Sequence, residues 1–338
     1  MTTRRDLFKI AGGLAAGAAI AKPFVISSAQ AAEPLTFMTP FGFIPDFLEM
    51  MNMVSGGFLA QEGFAPQLLG GHGAVMTAQQ LMTGSVSFVR LSAIDEFVAV
   101  AKGAGFVSVS TLYQGSNFHV ISSKDKPINS AQELKGKTVG IVSVGGSTEQ
   151  LLQIMLRAVG MTKADVTTQV VGNSPGVMQY LRQGRIDCFI NSVGVVVALQ
   201  TANEPIVNWP TDRYAPMPSQ IYVTTRDVME KKPATLVRFL KALRASTADM
   251  MHGDLKAIFR RANGDFDIPG MKNLDELVAL MRFTMSNPWM SQGRENFLLN
   301  VPALWAEAAH EISDAGIATV PRVEALYTNT FIEQALKA

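Results

Sequence analysis

Leu81-Met82-Thr83-Gly84-Ser85-Val86-Ser87-Phe88-Val89-Arg90-Leu91-Ser92 is answered one hundred positions later by Leu181-Arg182-Gln183-Gly184-Arg185-Ile186-Asp187-Cys188-Phe189-Ile190-Asn191-Ser192. Each reads as the end of an amphipathic helix, a glycine cap, a short apolar strand and a polar residue at that strand's carboxyl end. Leu, Gly, a β-branched residue and the final Ser recur in register. A helix–glycine–strand unit used twice predicts two similar α/β lobes. In such lobes ligands sit beyond the carboxyl ends of the strands. Two such edges facing each other form a cleft, which points to binding before catalysis.

The bulk composition is compatible with this. A chain of 338 residues, 48% hydrophobic, can bury a sizeable core and fill about two domains. With 8% aromatic and 17% charged residues it is not a disordered chain. Residues 1–31 hold four bases and one acid, leaving 25 basic against 27 acidic residues in the remainder. That slightly acidic balance does not favour nucleic acid as a partner. The lone cysteine, Cys188, excludes an internal disulfide.

The first 31 residues read as an export signal. Thr3-Arg4-Arg5-Asp6-Leu7-Phe8-Lys9 is a basic head, Ile10–Ala21 is apolar, and Ala29-Gln30-Ala31 is a small-residue cleavage site. The 12-residue apolar run is short of the roughly 20 needed to cross a bilayer. Paired arginines before a weakly apolar run resemble a twin-arginine signal, an ordinary secretory signal being the alternative. No cysteine lies near the cleavage site, so no lipid anchor is expected. The expectation is a soluble bacterial protein of the periplasm, beginning near Ala32.

Along the mature chain, strands are expected at Leu35–Thr39, Phe64–Leu69, Val86–Leu91 and Phe106–Leu112, with helices at Pro45–Gln61, Ala74–Met82 and Ile94–Ala101. Further strands are expected at Phe118–Ser122, Lys137–Val142, Val166–Val171, Ile186–Ile190, Ile206–Asn208 and Ile221–Thr225. Helices are expected from the Gly145-Gly146-Ser147-Thr148 turn to Val159, over Pro175–Gln183 and over Gly194–Gln200. Ser130-Ala131-Gln132-Glu133 reads as a capping box. From Arg226 onward the pattern is helical, over 233–251, 273–285, 295–313 and 324–336. The expected organisation is a first lobe of 32–116 with 223–338, and a second of 117–222. Crossovers near 114–118 and 217–224 would form a hinge.

Three segments carry a family resemblance: a capped "AQEL" before Lys135-Gly136-Lys137-Thr138-Val139-Gly140, Gly-Gly-Ser-Thr opening a helix, and "MQYLRQGRIDCFIN". Together they resemble the periplasmic substrate-binding proteins of ABC importers, in the branch that takes up sulfonates, nitrate and thiamine pyrimidine precursors. The likeness spans about residues 33–225. It implies an α/β, two-lobed periplasmic binding protein fold of type II, each lobe a mixed sheet flanked by helices. It also implies a small molecule between the lobes, handed to a permease in the inner membrane.

Several residues are candidates for ligand contact. Gly145, Gly146, Ser147 and Thr148 place free backbone N–H groups and two hydroxyls at a helix start, which favours an anion, although Ser and Thr also serve as plain caps. Arg90 stands where the second repeat has Ile190. It can hold a carboxylate or sulfonate two-pronged, or pair with Asp95 or Glu96. Ser92, Asn191 and Ser192 lie at matching strand ends, as rim contacts or helix caps. Phe41 and Phe43 can stack on a planar ligand or pack beneath their loop. His72 lies in a glycine-rich loop, and Tyr222 lies near the second crossover. Trp289 reads as packing. His72, His119, His252 and His310 show no ligand spacing, so neither metal nor cofactor is expected.

The reading is therefore a non-enzymatic, monomeric solute-binding component. Its ligand is expected to be a small organic anion or heteroaromatic, such as a sulfonate, an aromatic carboxylate or a pyrimidine-like compound. The alternatives are an exported enzyme on the same fold, related to thiamine-pyrimidine synthesis, and a component that presents ligand to a membrane receptor.

Overall fold

A computed structural model describes residues 31–337 of the chain. The export signal expected over 1–31 therefore lies, save its last residue, outside the described residues. From the N-terminus come β1 (Glu33–Thr39), α1 (Leu48–Ser55), α2 (Phe58–Gln61), β2 (Phe64–Gly70), α3 (Ala74–Met82), β3 (Phe88–Leu91), α4 (Ala93–Ala101) and β4 (Phe106–Tyr113). Then follow β5 (Phe118–Ser123), β6 (Thr138–Ile141), α5 (Ser147–Ala158), β7 (Thr167–Val170), α6 (Met178–Arg182), β8 (Cys188–Ser192), α7 (Val193–Thr201) and β9 (Ile206–Pro210). The chain returns through β10 (Gln220–Thr225) to α8 (Arg226–Lys231), α9 (Pro233–His252), α10 (Leu255–Asp265), α11 (Leu274–Ser286), α12 (Pro302–Asp314) and α13 (Thr330–Lys337).

The strands form two five-stranded mixed sheets with the same plan. The first runs β2-β1-β3-β10-β4 and the second β7-β6-β8-β5-β9. In each, the first three strands are parallel and the fourth is antiparallel to both neighbours. The repeated sentence in the sequence is visible here. α3–β3–α4 corresponds to α6–β8–α7, β3 and β8 beginning at 88 and 188, and α4 and α7 at 93 and 193. Gly84 and Gly184 both take positive φ, 75° and 67°, the left-handed turn that ends each helix. The fold is α/β, two mixed sheets flanked by helices.

Strand β10 sits whole in the first sheet, with Tyr222 opposite Arg90 of β3. The second crossover thus ends before Gln220, and not at the 222/223 boundary expected from sequence. The two crossover segments lie side by side: the Asn117 N–H donates to Ser219 Oγ at 2.9 Å, and the Ser219 N–H to the Tyr113 carbonyl at 2.9 Å.

Other departures have local causes. The single helix expected over Pro45–Gln61 breaks at Gly56-Gly57, where Gly57 takes φ 73°. The segment after Ser130 is one 3-10 turn, Ala131–Leu134, although the Ser130 hydroxyl does bond Glu133 at 3.1 Å. The tail holds α8 and α10 beyond the four expected helices, and α12 starts at Pro302 because proline suits a first turn.

Two helices join the halves. Along α7, Val195, Val196 and Leu199 pack with Ile121 and Phe189 of the second sheet. Val193 and Val197 on its other side join the core around Leu277 and Leu280 of α11. Helix α5 does likewise: Leu152, Met155 and Leu156 face its own sheet, while Leu151 and Ile154 join a cluster with Phe97, Trp305 and Ile312. Helix α7 is apolar all round, as suits a helix buried between two partners, whereas α5 keeps a polar side.

Candidate functional site

Between the sheets lies a cavity of about 360 Å³, within the size range of small-molecule sites. Its first wall comes from the loop after β1 (Pro40, Phe41, Ile44, Asp46, Phe47), from His72–Met76, and from Gln79 and Gln220. Its second comes from Asn117, Phe118, Val142–Val144, Gly146–Thr148, Asn173 and Ser192. Every segment leaves the carboxyl end of a strand or enters a crossover. Gly71 is required because a Cβ there would run into the Thr39 carbonyl, and this lets the Gly70–Gly73 loop fold back on β1. Phe41 and His72 pair as an isolated bridge across that fold.

Of the sequence candidates, Phe41, His72, Gly146, Ser147, Thr148 and Ser192 line this cavity. Ser92 lies just behind it. It caps α4, accepting from the Asp95 N–H at 3.2 Å, and meets Ser147 Oγ at 3.1 Å. Ser147 Oγ also donates to Asp95 Oδ2 at 3.0 Å, tying the start of α5 to the other half of the molecule. Burial pushes the Asp95 carboxyl above its ordinary range, and the Ser92 and Ser147 hydroxyls only partly oppose this. The Thr148 hydroxyl accepts from the Val142 N–H at 2.9 Å. The Gly145 N–H is taken by Glu149 Oε2 at 2.6 Å, and Gly145 faces a different groove.

Four candidates are placed away from the cavity. Arg90 is fully buried in the first core, between the rings of Phe47 and Tyr113 at 4.8 and 4.6 Å. It pairs with Glu49 at 2.6 Å, not with Asp95 or Glu96, and also donates to the Asp46 carbonyl at 2.6 Å. Tyr222, opposite it on β10, donates to the same Glu49 at 2.8 Å. Phe43 packs against Phe266, ring centroids 4.9 Å apart and tilted by 49°. The Asn191 side chain is turned to its own backbone surroundings, donating to the Gly172 carbonyl at 3.0 Å and accepting from the Ser192 N–H. Trp289 is buried against Phe297. Cys188 is buried in β8, and burial pushes its thiol up, so it is no nucleophile.

Sequence reasoning missed Asp46, Asn117, Asn173 and Gln220. Asp46 follows Pro45 in a helical first turn, where an acid is commonplace, so nothing local marks it. Asn117 and Gln220 flank the two crossovers, a position that was visible and passed over.

Residues 45–254, more than half of the chain, match the family described as NMT1/THI5 like. The chain belongs to that family. Among curated proteins, the riboflavin-binding protein RibY of Chloroflexus aurantiacus is 33% identical over 90 residues. That match covers 27% of this chain and only 26% of RibY. Among solved structures, the periplasmic aliphatic sulphonate binding protein SsuA from Escherichia coli superposes with TM-score 0.66 at 15% identity, over 90% of this chain and 91% of that one. The periplasmic nitrate-binding protein NrtA from Synechocystis PCC 6803 gives 0.64 at 12%, over 90% and 89%. At such identity the likeness shows the fold. The family shown is thus NMT1/THI5 like, and the fold is shared with SsuA and NrtA.

Proposed function

We propose that this chain is the solute-binding component of an ABC importer, exported to the periplasm and delivering its ligand to an inner-membrane permease. The observation that carries the reading is the cavity itself, walled by both sheets and spanned by two adjacent crossovers. One lobe comprises the first sheet and the C-terminal helices, and the other comprises the second sheet. Solute enters when the lobes part at the crossovers, and closure is favoured to the extent that the solute binds the closed arrangement better. The lining is mostly apolar with a few polar groups, which suits desolvation of a small organic molecule. Membership of the NMT1/THI5-like family and the fold of SsuA and NrtA support the same reading.

The test is a thermal-shift screen of the mature polypeptide against sulfonates, aromatic carboxylates, pyrimidines, nitrate and organic amines. A genuine solute at about a hundred times its Kd adds roughly 2.7 kcal/mol to folding stability. A screen in which no solute moves the unfolding temperature, or turnover of a solute by the protein alone, overturns the reading.

A further inference from the structure

Resting on the solute-binding reading above, we propose that the ligand is an organic cation with several N–H donors, such as an amidinium, guanidinium or protonated amine, whose charge is met by Asp46. Among the described residues, no Lys or Arg lines the cavity, and Asp46 is its one carboxylate. An adjoining cavity of about 300 Å³ shares Ile44, Asp46, Asn173 and Ser192 with the first and adds another acid, Glu276. Arg90, the cation that sequence placed here, is sequestered by Glu49. Arg90 is already paired with Glu49, so Asp46, when ionised, meets no Lys or Arg in the lining.

Three residues that line the main cavity each carry an oxygen without a hydrogen-bond partner, Asp46 Oδ1, Asn117 Oδ1 and Gln220 Oε1, and these three atoms are themselves shut off from solvent. Their residues are 8%, 6% and 7% exposed. Buried acceptors without donors are costly, and a ligand bringing N–H groups would satisfy them once these side chains turn toward the cavity. An amide can turn to present its NH₂, but a carboxylate has no such freedom, so Asp46 decides the sign of the charge. Gly194, in the first turn of α7, leaves room for it: a Cβ there would come within 3.0 Å of Asp46 Oδ2. Burial holds the Asp46 carboxyl above its ordinary range, and the Arg90 charge offsets only part of this, so a bound cation would favour its ionisation.

The anion alternative meets opposition at each point. The Gly145 N–H is already taken by Glu149, and Ser147 by Asp95. Both bonds bring a carboxylate to the turn where an anion would dock.

The experiment uses two isosteric sets as probes, benzamidine with benzamide and benzoate, and phenylguanidine with phenylurea, titrated by calorimetry into the mature polypeptide. The expected result is that each cation binds at least tenfold more tightly than its neutral or anionic counterpart. Asp46→Asn should remove about tenfold of the cation's affinity and leave that of the neutral isostere unchanged. The comparison within the wild-type protein needs no variant, so a poorly folding D46N protein does not spoil the test. Preferred binding of benzoate, or a cation preference that survives D46N, overturns this inference and leaves the solute-binding reading standing. No binding of either set, together with a blank result in the wider thermal-shift screen, overturns both.

Discussion

At the scale of single residues, charge burial governs the behaviour of the chain. Arg90 stands on an apolar strand at 0% exposure, held by Glu49, the Asp46 carbonyl and two aromatic rings. Arg90→Ala would strand the Glu49 carboxylate in the core, and breaking a buried pair costs about 3–5 kcal/mol. Urea unfolding should show that loss, and a stability change under 1 kcal/mol would contradict the structural role. Glu96 is the opposite case. Its two carboxyl oxygens have no hydrogen bond of normal geometry, and the nearby Ser108 N–H is committed to the Leu326 carbonyl at 2.7 Å. Burial therefore drives this carboxyl well above its ordinary value of 4.5, and the Ser108 backbone and the Arg226 charge offset only part of the effect. The folded chain holds this proton where the unfolded chain has lost it. Glu96 thus contributes fully below its unfolded pKa, and that contribution is lost as pH rises toward the folded value. Asp46 and Asp95 shift in the same direction. Glu96→Gln should flatten the decline of the urea midpoint with rising pH, and an unchanged slope would show that Glu96 titrates normally.

At the scale of elements, the helix starts facing the cleft do most of the work. The turn before α5 was read from sequence as an anion cradle, and the glycines do shape it as expected, with Gly145 at φ 69°. Two of its donors, the Gly145 N–H and the Ser147 hydroxyl, are spent on protein carboxylates, however. Ser147 to Asp95 is a bond between the two halves of the molecule, and Ser147→Ala should loosen the closed arrangement. Losing a hydrogen bond to a charged group costs roughly 1.5–3 kcal/mol, so solute affinity should fall about tenfold. Asp95→Asn keeps an acceptor and should cost less. Calorimetry on both variants decides the matter, and wild-type affinity in S147A would remove this bond from closure. Gly84 and Gly184 mark the ends of α3 and α6 in the sequence, whereas the starts of α8, capped by Thr225, and of α12, at Pro302, differ from the expectation. The break between α1 and α2 was missed because Phe47, Leu48, Met51, Val54 and Phe58 continue one apolar stripe across Gly56-Gly57.

At the scale of the whole molecule, sequence determined the repeated α/β unit, the order of the strands and some of the segments that line the cleft. Each of these is written in local signals: apolar period, glycine at a left-handed turn, polar residues at strand ends. Tertiary structure alone decided which of those polar residues face the cavity. Arg90 and Tyr222 stand opposite each other on β3 and β10 and turn inward to Glu49, a residue more than forty positions from either. Asp46, by contrast, is brought to the cavity by a loop that gives no local sign of it. A charged side chain takes its role from the partners that reach it after folding. Those partners come from distant segments, and nothing in the neighbouring sequence records where they will lie.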